Sequence, residues 1–136
     1  EGIHLGNLGD AFVQCHRRDE AETAFRKAIE ICADSLPVGA GAFRGSLALL
    51  LAQRGEMEEA QKLLDMGEPA VQPYPEEYAK FLCKKGHVLY HLGNLDSARS
   101  VLMQAQGISG EIEASDNSEL GLELRALSNI LGTDLH

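Results

Sequence analysis

Three potential metal ligands follow one another at four-residue steps in the second half of the chain: Cys83, His87 and His91. On a helix, side chains four residues apart lie above one another, and thiolate and imidazole groups are common ligands of zinc. Consecutive steps of four drift around the helix, however, and no fourth ligand is identifiable. The sequence therefore predicts no metal site and no cofactor, and we keep a metal-responsive sensor built on these residues as a contrasting hypothesis.

The other candidates for chemistry would be catalytic, and they are weaker still. The chain has no glycine-rich phosphate loop, no His-Glu-x-x-His pair and no nucleophile elbow. Glu56, Glu58 and Glu59 form an acidic cluster, but they fall at an expected helix start, where carboxylates complement the helix dipole and stay in water. We therefore expect no catalytic residues and no enzymatic activity.

Composition narrows the classes of partner. Lys and Arg number 12 against 21 Asp and Glu, and the formal net charge of −9 disfavours binding to nucleic acid or to an anionic membrane. A basic or polar peptide suits this charge better. No run approaches the roughly 18 apolar residues of a membrane span, and no charged-then-apolar leader opens the chain. Residue 1 is Glu rather than Met, so we expect the chain to be part of a longer protein.

Cysteine usage indicates the compartment. Cys15, Cys32 and Cys83 are odd in number and lack Cys-x-x-Cys spacing, which indicates neither a disulfide framework nor a zinc knuckle. All three fall in apolar helical surroundings, where free cysteine usually acts as a small core residue. We therefore expect a reducing compartment, the cytoplasm.

An internal repeat must position these side chains. The segment Gly55-Glu-Met-Glu-Glu-Ala60 returns as Gly93-Asn-Leu-Asp-Ser-Ala98, and a weaker copy reads His16-Arg-Arg-Asp-Glu-Ala21. The closing alanines are 39 and then 38 residues apart, and an apolar helical stretch lies on each side of every copy. A fixed period of this size is typical of stacked helical units.

Apolar spacing predicts helices throughout. A stripe at intervals of three, four and three marks the first helix, and it consists of Leu5, Leu8, Phe12 and Cys15. Pro37 and Pro75 suit the first turn of a helix, whereas Gly55 and Gly93 suit helix ends. The first six predicted helices span about 2–15, 19–34, 37–54, 57–71, 75–92 and 95–106.

A seventh helix is expected over about 117–131. Its stripe consists of Leu120, Leu124, Leu127 and Leu131, with Leu122 and Ile130 alongside. No partner helix follows, so we expect it to cover the open end of the stack, as terminal units of repeat arrays often do. The chain shows no convincing alternation of period two, and the fold class is therefore all-α.

Equivalent positions recur in three copies. The first copy has Leu5, Leu8-Gly9, Phe12, Ala21, Phe25 and Ala28; the second has Leu47-Ala48, Leu51, Gly55, Ala60, Leu64 and Gly67; the third has Leu82, Gly86, Leu89, Gly93, Ala98, Leu102 and Ala105. This pattern resembles the tetratricopeptide repeat family, which has a large residue, Leu-Gly and an aromatic on one helix and Ala, aromatic, Ala on the next. The second and third copies match less well, because Arg44 takes the large position and Lys85 replaces a leucine.

The resemblance implies a right-handed α-solenoid of antiparallel helix hairpins, seven helices in all. Repeats over about 2–36, 37–74 and 75–108 and a capping helix over about 117–132 would form a single domain, 1–136. Close approach of the paired helices would rest on small residues, with Gly9, Ala48 and Gly86 on the first helices facing Ala21, Ala60 and Ala98 on the second.

The same resemblance implies a concave surface lined by the first helix of each pair, which the family mostly uses to hold an extended peptide or a partner helix. The helical face opposite the core stripe places Asn7, Asp10, Gln14, Ser46, Leu49, Gln53, Lys80, Lys84, His87 and His91 there, together with Ile3 and Ala42. This groove would grade from polar to basic. Lys80 and Lys84 fall where some relatives clamp a terminal carboxylate, but Gly6, Asp10 and Ser46 do not reproduce the other half of such a clamp.

We therefore expect a protein-interaction module that binds a protein or peptide, within a larger regulatory or signalling protein of cytoplasmic, bacterial type. The alternative is a structural or self-association segment of a longer solenoid, in which homo-oligomers form through the Ile3 and Leu5 edge or through the face that carries Leu120.

Overall fold

The computed structural model describes residues 1–132, and in this range it is all helical, without strands. The seven helices are α1 (Gly2–Gln14), α2 (Arg18–Ser35), α3 (Pro37–Gln53), α4 (Met57–Val71), α5 (Pro75–His91), α6 (Leu95–Glu111) and α7 (Glu119–Leu131). The all-α prediction is confirmed. The last helix of the third hairpin runs five residues beyond the expected end at 106, and the last four residues of the expected domain, 133–136, lie outside the described part.

The helices pack as three hairpins, α1–α2, α3–α4 and α5–α6, and α7 packs on α5 and α6. The first helices of the three hairpins, α1, α3 and α5, lie side by side, and α7 continues this row next to α5. This arrangement is a tetratricopeptide-like solenoid in which one flank consists of first helices only. Within residues 1–132, no helix is both long and apolar enough to cross a bilayer.

The three hairpin turns share one backbone conformation. Gly55 and Gly93 end α3 and α5 with φ of 86° and 79°, the left-handed region that glycine adopts without strain. His16 occupies the equivalent place in the first turn with φ of 61°. In each turn the next residue donates its N–H to a carbonyl five positions earlier, as in Arg17 N to Phe12 O at 2.8 Å. The weaker sequence copy therefore folds into the same turn.

Phenylalanine side chains fix the distance between successive first helices. The ring of Phe43 in α3 fills the space beside Gly6 in α1, and the ring of Phe81 in α5 fills the space beside Gly45 in α3. A Cβ atom added to Gly45 would lie 2.9 Å from Phe81 Cδ2. Both rings are buried, so each acts as a knob that needs a residue without a side chain opposite it.

Gly9 and Gly86 were expected to face alanines of the second helix in their own hairpins, but each lies against a larger side chain. A Cβ atom on Gly9 would meet Phe25 of α2 at 2.8 Å, and one on Gly86 would meet Leu127 of α7 at 2.6 Å. The alanines at the paired positions, Ala21 and Ala98, are fully buried as expected, but they are not the nearest neighbours of these two glycines. Gly86 therefore makes room for the next first helix rather than for its own hairpin partner.

The expected core stripe of α1 is wrong in part. Leu8 is 41% exposed, Cys15 is exposed, and Leu5 and Phe12 are only half-buried. The buried residues of α1 are Gly2, Gly6 and Gly9. The reason is that, within the described residues, α1 has neighbours only in α2 and α3, so its opposite edge stays in solvent.

The stripe of α7 is correct for its four main leucines, Leu120, Leu124, Leu127 and Leu131, which are all buried. Leu122 and Ile130 are instead 53% and 43% exposed, since they lie on the face of α7 turned away from α5 and α6. Leu120 is 1% exposed, so its face is occupied inside the molecule and is not available for self-association.

Candidate binding groove

Helices α1, α3, α5 and α7 line a hollow of about 330 Å³. Its apolar floor includes Val38, Ala42, Phe43 and Phe81, and Ile3 and Leu36 close one end. Its polar lining consists of Asn7 and Asp10 from α1, Ser46 from α3, Glu77, Lys80 and Lys84 from α5, and Glu119 from α7. This combination of an apolar floor and converging polar groups is typical of binding sites.

Five of the ten residues placed on the concave face line this hollow: Asn7, Asp10, Ser46, Lys80 and Lys84. The other five lie elsewhere on the same helices and do not line it. Gln14, Gln53 and His91 are exposed, His87 is half-buried, and Leu49 is half-buried against the core. The hollow is therefore the end of the expected surface that lies toward the beginnings of α1 and α5.

Both lysines are paired with carboxylates. Lys84 Nζ lies 2.8 Å from Glu123 Oε1, and Lys80 Nζ lies 3.1 Å from Glu77 Oε1 and 3.4 Å from Glu119 Oε1. Burial alone would lower the pKa of each lysine, but the paired carboxylates outweigh it and hold both pKa values above their ordinary range. The positive charge expected at this end of the groove is thus neutralised by glutamates of the same chain, and the two lysines are not free to bind a carboxylate of a ligand.

Helix α7 supplies the residues that the sequence reasoning missed. Glu119 and Glu123 each lie 39 residues after the lysine that they contact. Extending the repeat period by one more step from Lys80 and Lys84 would have found both glutamates. Because α7 packs beside α5 at this period, it takes the place of the first helix of a further hairpin as well as covering the end of the stack.

Asp10 is the carboxylate on the opposite wall. It makes no ion pair within 4.0 Å in residues 1–132, although its side chain lies in the lining of the hollow. Burial in the concavity raises its pKa, and Glu119 and Glu123 raise it further, whereas Lys84 and Lys80 lower it. Asp10 as a whole is exposed to solvent. Its position in the lining of the hollow nevertheless reduces the water around the carboxylate, which disfavours the charged form.

One carboxylate oxygen in this region is left without a partner. Oε1 of Glu123 accepts a hydrogen bond from Lys84, but Oε2 is buried and has no hydrogen-bond donor in the described part of the chain. A buried acceptor without a donor is unfavourable, and such atoms are rare in folded proteins.

The potential metal ligands do not converge. Cys83 is completely buried, and burial raises the pKa of its thiol to about 12. The pKa of His87 is lowered by burial and by the nearby His91 and Lys84. His91 is exposed and packs edge-on against Tyr90, with ring centroids 5.6 Å apart. Residues 1–132 contain no group of three side chains arranged to hold a metal ion.

The fold and the two outer hairpins identify the class of protein. Residues 5–35, which include most of α1 and all of α2, and residues 79–111, which include most of α5 and all of α6, match the model of the tetratricopeptide repeat family. These two hairpins are tetratricopeptide repeats, as the repeated residues indicated. Tetratricopeptide repeats generally mediate protein–protein interactions and are typically non-catalytic. No curated protein matches the chain.

Proposed function

We propose that the chain is the protein-binding module of a larger regulatory or signalling protein and that it holds an extended peptide segment along α1, α3, α5 and α7. The observation that carries this proposal is the hollow between four consecutive first helices, where an apolar floor lies beneath polar side chains from every wall. Asn7, Asp10, Ser46, Lys80 and Lys84 are the proposed contact residues.

The shape and the lining support a peptide rather than a small metabolite. A volume of about 330 Å³ is near the lower end for small-molecule pockets, roughly 300–1,000 Å³, and suits one or two side chains of a longer segment. The Asn7 amide is exposed beside it, and the Ser46 hydroxyl donates to Ala42 O at 3.5 Å, which leaves its oxygen free to accept. Such groups bind peptide N–H and C=O groups.

The remaining predicted contacts extend this surface along the same helices. Gln14, Leu49, Gln53, His87 and His91 lie one to two turns further along α1, α3 and α5, where we propose that they meet the rest of the segment. The three free cysteines support placing the module in a reducing, cytoplasmic compartment.

A peptide selection tests this function. A displayed library of random 12-residue peptides is selected on the intact chain and then counter-selected on a Ser46→Tyr variant, in which the larger side chain fills the hollow. We expect peptides that bind the native chain and lose binding to Ser46→Tyr. Ser100→Tyr, an exposed position on α6, is the matched control and should retain binding. Peptides that bind all three proteins equally would show that the hollow is not the binding site.

Self-association is the second candidate, and exposed apolar side chains at both ends of the array favour it. Leu5, Leu8, Phe12 and Ala24 line a largely apolar cleft of about 460 Å³ between α1 and α2, and Leu122 and Ile130 are exposed on α7. Contact between these two unlike surfaces would join copies head to tail.

Sedimentation equilibrium decides this second candidate. The apparent mass should rise with concentration in the native chain and fall to that of a monomer in Leu8→Glu. Met103→Glu, which changes an exposed side chain on α6, should leave the association unchanged. A native chain that is monomeric at every concentration would exclude self-association.

A further inference from the structure

We infer that the hollow selects a segment that carries a basic side chain, arginine or lysine, and that this side chain enters between Asp10 on one wall and Glu119 on the other. This inference rests on the proposed peptide-binding function and adds the chemical class of the ligand to it.

The charges around the hollow favour a cation. Lys80 lies between Glu77 and Glu119, and Lys84 is bound by Glu123. Asp10 has no ion pair within residues 1–132 and adds a further carboxylate that interacts with both lysines. Two ammonium groups therefore face four carboxylates, and a concave surface with low-dielectric walls concentrates the resulting negative potential.

A carboxylate beside the hollow also has spare acceptor capacity, because Oε2 of Glu123 has no hydrogen-bond donor within residues 1–132. Its other oxygen accepts a hydrogen bond from Lys84 at 2.8 Å, so within residues 1–132 the carboxylate oxygens beside the hollow outnumber the donors that could satisfy them. A guanidinium group carries five N–H donors in a planar fork and binds carboxylates more strongly than a neutral donor does.

The floor suits the rest of an arginine or lysine side chain. Ala42 and Phe43 line the hollow with apolar atoms, and the methylene groups of a long basic side chain pack well on such atoms while the charged end reaches polar groups. An acidic side chain would have to displace Glu119 or Glu123 from a lysine and would approach Asp10 at an unfavourable short distance.

Three capped pentapeptides test the charge preference. Each has the form acetyl-Ala-Ala-X-Ala-Ala-amide, with arginine, norleucine or glutamate as X, and the titration is followed by the backbone amide resonances of the intact protein. We expect the arginine peptide to shift the resonances of Asn7, Asp10 and Ser46 in a saturable manner. The norleucine and glutamate peptides should bind at least tenfold more weakly.

A pair of matched variants separates binding in the hollow from general attraction to an acidic protein. Asp10→Asn should weaken binding of the arginine peptide about tenfold, the loss expected for one charge-assisted hydrogen bond. Asp65→Asn makes the same change at an exposed position on α4 and should have no effect. Equal weakening in both variants would overturn the inference, because attraction would then depend on net charge alone.

The pH dependence gives an independent readout. Burial raises the pKa of Asp10, with Lys80 and Lys84 of α5 and Glu119 and Glu123 of α7 as the charged groups that act on it. A bound cation favours the ionised carboxylate, so affinity should rise as the pH increases through the pKa of Asp10 and then level off. This rise should disappear in Asp10→Asn, and a slope that persists there would contradict the role of Asp10.

The outcomes for function and for charge preference are distinguishable. If the norleucine or glutamate peptide shifts the hollow residues as strongly as the arginine peptide, the site binds peptides but the inference is wrong. If selected library peptides bind independently of Ser46 and no pentapeptide shifts hollow residues, the proposed function itself fails.

Discussion

The first and third hairpins both match the family model, yet their first helices differ greatly in burial. α5 lies between α3 and α7 and buries seven residues, among them Phe81, Leu82 and Val88. α1 has α3 on one side only, and its buried residues are three glycines. Leu5 and Leu82 occupy equivalent repeat positions, but Leu5 is half-buried whereas Leu82 is completely buried.

The repeat motif therefore determines which face of a helix is apolar, whereas the position of the helix in the array determines how much of that face is covered. The same pattern that forms an interior in α5 leaves Leu5, Leu8 and Phe12 around an open cleft on α1. Equivalent substitutions in the two hairpins should therefore have unequal effects.

The largest contrast is expected in thiol reactivity. Cys15 follows α1 and is exposed, whereas Cys83 in α5 is completely buried, with a thiol pKa of about 12. Because the thiolate is the reactive form, Cys83 should not react with a disulfide reagent at pH 8 until the protein unfolds. Cys32 is also buried, so one fast thiol is expected, and Cys15→Ser should abolish it. A second fast thiol in the native protein would contradict the burial of α5.

Truncating equivalent leucines compares the two helices directly. Leu82→Ala should lower the free energy of unfolding by about 2–5 kcal/mol, since it leaves a cavity in the core. Leu5→Ala should cost about 1 kcal/mol, because only part of this side chain is removed from water. Urea denaturation of both variants measures the difference. Similar losses would mean that α1 is covered as fully as α5.

Adding one methyl group at equivalent glycines tests which helix each glycine faces. Gly86→Ala and Gly9→Ala should each cost about 1–3 kcal/mol through overpacking. Leu127→Ala should relieve part of the cost of Gly86→Ala, because Leu127 is the side chain in contact, and it should not relieve Gly9→Ala, which meets Phe25.

A third glycine provides the control for this substitution. Gly107 lies within α6, and apart from the local backbone of α6 and its two chain neighbours, no atom of the described residues lies within 4 Å of the position of an added Cβ. Gly107→Ala should therefore raise the free energy of unfolding by up to about 1 kcal/mol through helix propensity alone. Strictly additive effects of Gly86→Ala and Leu127→Ala would contradict the contact between α5 and α7.

The smallest expected effect comes from substitutions in the first and third hairpin turns. His16 adopts φ of 61°, a conformation that costs a residue with a side chain roughly 1–2 kcal/mol, so His16→Gly should stabilise the protein by about 1 kcal/mol. Gly93→Ala places a side chain at φ of 79° and should destabilise it by a similar amount. Melting temperatures should move in opposite directions, and a loss of stability in His16→Gly would show that the histidine side chain has a role in the turn.

Local features were predictable from the sequence, because they depend on neighbouring residues in the chain. Pro37 and Pro75 begin helices and Gly55 and Gly93 end them, as expected. The positions of the hairpins were also predictable, because an alanine closes each copy of the repeated segment. Ala60, the alanine of the second copy, is fully buried.

Features that depend on a neighbouring unit were not predictable in the same way. Lys85 stands where the pattern has leucine, and it is accommodated because Glu68 of α4 binds it at 2.7 Å. The neutralisation of Lys80 and Lys84 depends on where α7 docks, which apolar periodicity alone does not specify. The sequence thus located five of the seven polar residues that line the hollow, but not their balance of charge.

The phenylalanine knobs also determine where the chain tolerates changes in length. One residue inserted between Phe81 and Lys84 would turn the lysine by roughly 100° about the helix axis, away from its glutamate and out of the hollow. One residue inserted in the connection at 72–74, or in the segment 112–118, would leave every helix with its own register. Insertions and deletions are therefore compatible with this surface only at the joints between helices, where a change in the spacing of 38 or 39 residues would not alter which side chains line the groove.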